Sequence, residues 1–240
     1  MSARHFDGFP KECVRFYKGL KRNNTKSWFQ DHREDYENHV LTPARYFVMD
    51  MGERLRRIAP QVNADPRIDR SIFRIFRDIR FSKDKSPFKT HLGIWFWDGG
   101  DAKMDCSGFY FHLSPPHLML AVGMYIFPRS MLESYRRAVI DPPMGTALRT
   151  TIRKLSKVPG CEVGGAHYKR VPRGFDPGHK SADLLRYNTL HASIETTIPA
   201  ELYTSDLLDY TYDRFKSMAP LHRWIRAMAE RQPDSRVLRR

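Results

Sequence analysis

HLGIWFWD at residues 91–98, SGFYFHLS at 107–114 and HLMLAVGMYIF at 117–127 decide the fold class of this chain. In the first run Ile94 and Phe96 alternate with Trp95 and Trp97; in the second Phe109 and Phe111 alternate with Tyr110 and His112. A period of two sends successive side chains to opposite faces of a strand. Cys106 to Pro128 contains no Asp, Glu, Lys or Arg, a length that would suit a membrane span. Ser114-Pro115-Pro116-His117 falls in its middle, so the stretch reads as two buried strands and a turn. Upstream, SIFRIFRDI at 71–79 is a further strand rich in Ile and Phe. Four such runs joined by short connections predict an antiparallel meander.

Helical patterns flank the meander. Pro10 to Leu20 carries Val14, Tyr17 and Leu20 near helical spacing, with Asn23 as a stop. Asn24 or Thr25 caps a second helix to about His39, on which Trp28, His32 and Tyr36 share one packed face. Pro43 opens a third helix reaching Ile58, before Pro60. After the meander come helices at Arg129 to Ile140 and about Met144 to Lys157, then a strand near Glu162 to Val171. A short helix near Ala182 to Tyr187, a strand from Thr189 to Ile198, and helices at Thr204–Met218 and Pro220–Glu230 close the pattern. The expected fold is α+β: a mostly antiparallel sheet built on a four-strand meander, with N-terminal and C-terminal helices packed largely on one face. No linker or repeat divides residues 1–240, so a single domain is expected, with 232–240 as a frayed tail.

Composition sets the class. Of the 240 residues, 41% are hydrophobic, enough to exclude wholesale disorder and to bury a core without staples. Cys13, Cys106 and Cys161 are sparse and lack metal-knuckle spacing, which argues against a disulfide framework and against zinc. Met1 to Pro10 has no apolar run, so a secretory signal is not expected and the cytoplasm is the expected location.

The net charge of +14 is unevenly spread. Residues 67–91 hold eight basic and three acidic side chains, and 149–186 hold nine basic and three acidic, whereas 187–213 have no Lys or Arg. Within the first block, Arg77 to His91 (RDIRFSKDKSPFKTH) links two apolar strands and is longer than a hairpin turn requires. Arg77, Arg80, Lys83, Lys85 and Lys89 are candidate ligands for an anion, with Asp78 and Asp84 orienting them. In the second block Lys169, Arg170 and Arg173 sit in an irregular Gly/Pro-rich connection and would close the same site if the two loops met. The bland alternative is that each loop is merely solvated, its charges pairing among themselves.

RDIRFSKDKSPFKTH also resembles the signature of the bacterial and fungal domain of unknown function 2461 family. Other pieces similar to that family follow in the same order: Asn23-Asn24 before Trp28-Phe29, then Gly123-Met124-Tyr125, Pro128 and Arg136. The last are Tyr168-Lys169-Arg170-Val171-Pro172-Arg173-Gly174-Phe175-Asp176 and Leu185-Arg186-Tyr187. The resemblance spans about residues 9–230 and implies one domain; it supplies no reaction. Ser114-Pro115-Pro116-His117 departs from the family, where a polar, glycine-containing turn is more usual.

Dinucleotide, P-loop, zincin and nucleophile-elbow motifs are absent, and GCEVGG at 160–165 lacks the lysine and following helix of a phosphate loop. His91 is placed to approach His112, and with His117 would form a three-histidine metal site, but no carboxylate has matching spacing; no metal or cofactor is expected. Buried structural thiols are the default for the cysteines. The weak acid/base candidates are His191 and Glu195, four apart on one strand face, and Asp78, whose neighbouring arginines keep it ionised. The leading expectation is a cationic pocket for a phosphorylated or carboxylated small molecule, with catalysis open and no membrane partner. Two alternatives remain: a non-specific nucleic-acid binder using Phe81, Phe88 and Trp95, or a brace in which Asp78 and Asp84 tie strands to the acidic block around Asp206, Asp209 and Asp213.

Overall fold

A computed structural model describes residues 5–100 and 103–231. The frayed tail expected at 232–240 and the start of the Met1–Pro10 stretch lie outside the described residues. Helices α1 (Lys11–Arg22), α2 (Lys26–Asp31), α3 (Arg33–Asp35) and α4 (Thr42–Leu55) open the chain, with a π turn at Tyr36–Leu41. They are followed by β1 (Val62–Asn63), β2 (Leu92–Asp98), β3 (Gly108–Ser114) and β4 (His117–Met124). Helices α5 (Arg129–Ile140) and α6 (Pro142–Leu155), strands β5 (Cys161–Ala166) and β6 (Tyr187–Thr197), and α7 (Leu207–Glu230) complete the order. The fold is α+β with a six-stranded antiparallel sheet ordered β1-β2-β3-β4-β6-β5. No helix among the described residues is long and apolar enough to cross a membrane. The chain divides into two compact units, one of residues 5–98, 109–120 and 195–214, the other of 99–100, 103–108, 121–194 and 215–231.

In the first unit the meander face bearing Phe96 and Phe111 is buried against α4, with the Phe47 ring 4.8 Å from that of Phe111. Trp95 and Trp97, on the other face of β2, are also buried. The expected strand at Ser71–Ile79 forms only isolated bridges, Ile72 with Ile94 and Phe76 with Phe88. Backbone bonds from Phe73 N to Gly93 O, Lys89 N to Ile75 O and Arg77 N to Pro87 O still make 71–77 and 87–95 an extended hairpin. The continuous ladder is missing because the register shifts between the Ile72–Ile94 and Phe76–Phe88 bridges, residues 73–75 on one limb facing residues 89–93 on the other.

The expected second helix, Asn24 or Thr25 to His39, is broken. Thr25 caps it through a 3.2 Å bond from the Trp28 N–H, as the sequence suggests. At His32 the backbone leaves the helical region, and the ring stacks on Trp28 with centroids 3.9 Å apart. The π turn adds a residue per winding, which brings Tyr36, Val40 and Leu41 to the buried side together. Toward the C-terminus the two expected helices are one, α7, with Pro220 inside it. Burial of Met218, Ala219, Leu221, Trp224 and Ile225 offsets the cost of an interior proline. The expected strand at 162–171 stops at Ala166, before the Gly/Pro-rich loop, and the short helix expected at 182–187 is a single tight turn at Leu184–Arg186.

The second unit has its own core. Tyr135 is fully buried, stacks on Phe127 at 4.8 Å and donates a 2.9 Å bond to the Leu184 carbonyl. Trp224 donates to the Met144 carbonyl at 3.0 Å. Gly123 has φ +141°, and a Cβ there would lie 2.3 Å from the Leu190 carbonyl oxygen, so only glycine lets these strands close. None of the three cysteines is in a disulfide; Cys13 and Cys106 are buried, and burial pushes the Cys13 thiol pKa well up.

Candidate functional site

The basic loop closes on itself before it offers anything to a ligand. The Arg80 guanidinium grips Asp78 with two nitrogens, Nε to Oδ1 at 3.0 Å and Nη2 to Oδ2 at 2.7 Å. Arg77 pairs with Asp84, which also accepts from the Ser86 N–H at 2.9 Å and the Ser86 hydroxyl at 2.6 Å. Lys85 donates to the Ile79 carbonyl at 3.0 Å, and Lys89 to the Arg74 carbonyl at 2.8 Å. These bonds hold both carboxyls ionised. Arg80 brings Asp78 down to about 2, and Arg77, helped by Ser86, pushes Asp84 lower still. Asp78 is therefore a poor proton donor. Neither aspartate reaches the acidic block, where Asp209 pairs with Arg54 and Asp206 meets Thr204. Both pair instead with arginines of their own loop.

Loop closure leaves different groups exposed. Lys83 and Lys85 are solvent-facing, and Phe81 is 95% exposed with the Arg80 guanidinium 5.8 Å from its ring centre. The other block lies in the second unit. There Lys169, Arg170 and Arg173 are exposed, Tyr168 lies under the Arg136 guanidinium at 5.2 Å, and the His167 and Tyr168 N–H groups both donate to the Arg186 carbonyl.

The first unit gathers a second set of polar groups where the hairpin meets β3. His91 and His112 face each other with ring centroids 4.3 Å apart, the approach their strands suggest. Tyr110 hydroxyl and His112 Nδ1 are hydrogen-bonded at 2.9 Å. Gly93 makes room for this: a Cβ there would lie 2.8 Å from the Tyr110 hydroxyl and 3.1 Å from Phe73. Lys89 sits over the Phe73 ring at 5.5 Å, and Phe73 meets Tyr110 edge-on at 6.1 Å. Burial, then His112, Lys89 and Arg77, lower the His91 pKa to about 4; burial lowers that of His112, against a weaker pull from Glu195. Both imidazoles are thus neutral at pH 7, each with one donor and one acceptor nitrogen.

The other acid/base candidates have partners of their own. Glu195 is exposed with His117 3.7 Å away, in the first unit, while His191 lies in the second, its ring against Gly164 and its pKa lowered by burial. His117 does not join His91 and His112, and among the described residues no group of three or more His, Cys, Asp or Glu is suited to a metal. Tyr110 is the site residue the sequence reading passed over. Its signal was its place two residues before His112 on the same strand face.

The model of a family described as conserved hypothetical protein (DUF2461) matches residues 12–224, and the chain belongs to that family. No curated protein matches the chain.

Proposed function

We propose that this protein binds a compact phosphorylated or carboxylated small molecule at the Tyr110, His112 and His91 face of the first unit, with Lys89 supplying positive charge and Arg77, paired with Asp84, reinforcing it from behind that pair. The observation that carries this reading is the neutral His91 imidazole, packed on His112 and within electrostatic reach of both cations. Its N–H serves as a donor to an anion, and its free nitrogen, with the pKa held near 4, accepts a hydrogen bond rather than a proton. Nearby cations stabilise negative charge that develops on such a substrate. Lys83 and Lys85 strengthen the field that draws anions to the loop. Free, mostly buried thiols fit a reducing compartment, and we place the activity in the cytoplasm.

The test is thermal shift against inorganic phosphate, phosphorylated metabolites, organic acids and short nucleic acids at low and moderate salt. Selective stabilisation by one compact anion, tolerant of salt and lost in His91→Gln, is the expected outcome. Stabilisation by none of the small anions sinks the proposal.

Phe81 favours one second reading, a single-stranded nucleic-acid contact in which the exposed ring stacks on a base beside Arg80. That reading predicts oligonucleotide binding that weakens steeply with salt and disappears in Phe81→Ala.

A further inference from the structure

A cleft of about 390 Å³ opens in the first unit between α2 and residues 68–76, with no lining residue in common with the His91 and His112 face. Its wall is aromatic. Phe29 stacks on Phe88 with centroids 4.4 Å apart, and Phe76 lies 5.3 Å from Phe88 and 6.2 Å from Phe29. Phe88 is buried, but Phe76 is 55% exposed, so the ring cluster presents an uncovered apolar surface to the cleft. Lys26, Arg33 and Arg74 line the same cleft, against one carboxylate, Glu37. In the basic loop Arg77 and Arg80 are each tied to an aspartate. By contrast, no ion pair within 4 Å joins Lys26, Arg33 or Arg74 to a carboxylate among the described residues, and Arg74 feels Asp78 only at longer range.

Small-molecule sites of ~300–1,000 Å³ are mostly apolar, with a few polar groups that fix orientation. Aromatic walls favour a flat ring, through stacked or edge-on contact. Uncommitted guanidinium groups favour a carboxylate, sulfonate or phosphate. We propose that this cleft is a ligand site for a small organic anion made of a flat apolar ring system and one acidic group. The ring lies against Phe76 and Phe29, and the acidic group is held by Arg33 and Arg74, with Lys26 adding charge. Ile68 also lines a neighbouring cleft of about 590 Å³ beside Tyr46 and Met49, so the apolar body has room to extend.

Anilinonaphthalene sulfonate is a suitable probe, since it combines that ring system with an acidic group and brightens on leaving water. Phenylnaphthylamine, of similar body without the acid, is the control. The folded protein should bind the sulfonate saturably. Arg33→Gln with Arg74→Gln should weaken it about tenfold, the scale of one lost charge-assisted bond, and leave the neutral dye within about twofold. Phe76→Ala should weaken both dyes. The altered side chains are exposed, and circular dichroism checks that each variant folds. In the unmodified protein, naphthalene sulfonate should displace the bound dye and naphthalene carboxamide should not. Non-saturable binding, equal displacement by the two competitors, or unchanged sulfonate affinity in the folded double variant overturns the proposal.

Discussion

Asn24 holds Phe88 by both of its backbone polar groups: the side-chain amide donates to the Phe88 carbonyl at 2.9 Å, and its oxygen accepts from the Phe88 N–H at 3.1 Å. The side chain does for Phe88 what a neighbouring strand would do, and it fastens the returning limb of the basic hairpin to the turn between α1 and α2. Phe88 is buried against Phe29, so water has poor access to either backbone group. Asn24→Ala leaves both unpaired, a cost of about 2 kcal/mol. For a chain of this size that is a melting-point fall of roughly 4–8 °C. Asn24→Asp should also destabilise, since it sets a carboxylate against the Phe88 carbonyl. An unchanged melting point in Asn24→Ala would show that the pair does not anchor the hairpin.

Gly93→Ala tests the architecture of the histidine face. The added methyl group meets the Tyr110 hydroxyl and Phe73, so Tyr110 must move off His112. Overpacking of this kind costs about 1–3 kcal/mol. Anion binding should fall further than in Tyr110→Phe, which removes only the hydroxyl. If Gly93→Ala binds the anion as well as the unmodified protein, Tyr110 and His112 do not belong to the site.

Acid sensitivity has two windows. Between pH 6.5 and about 4, unfolded chain takes up a proton at His91 that the folded chain refuses, so stability falls as pH is lowered and then levels off. Asp78 and Asp84 act lower: their pairing contributes above the ordinary carboxylate range and is lost as pH falls toward their depressed values. Melting curves at pH 7 and pH 5 should therefore differ less for His91→Gln than for the unmodified protein. Equal losses for the two proteins would place the His91 pKa near its ordinary value.

The loop bonds should matter for local order more than for global stability. Asp84→Asn removes the Arg77 pair and weakens the bonds from Ser86, all at an exposed position. Amide exchange across 78–86 should accelerate while the melting point barely moves. No change in exchange would mean that the loop is held by something other than Asp84.

How far the sequence carried the fold follows from which forces are local. Alternation at 91–98 and 107–114, the Thr25 cap and the helix at Arg129–Ile140 are local patterns, and each corresponds to a structural element. Pro220 misled because its cost is local and the burial that overrides it comes from packing. His32 and the π turn could not be read, since one extra residue in a winding leaves the apolar pattern helical. In the candidate site, Arg77, Lys89 and His91 stood out as a polar run. Nothing in that run says that Asp84 takes Arg77, that Asn24 grips Phe88, or that Gly93 clears space for Tyr110. Those depend on contacts across the fold. The Phe29 and Phe76 cleft was hidden for the same reason, its rings and cations being scattered over three stretches of chain.

If His91 and His112 belong to one anion site, histidine-selective NMR with inorganic phosphate will register both together. The account predicts that the imidazole signals of His91 and His112 move together and saturably at constant ionic strength, while those of exposed His5 and His117 stay in place. Unmoved His91 and His112 signals across a panel of phosphate, phosphorylated metabolites and organic acids would contradict it.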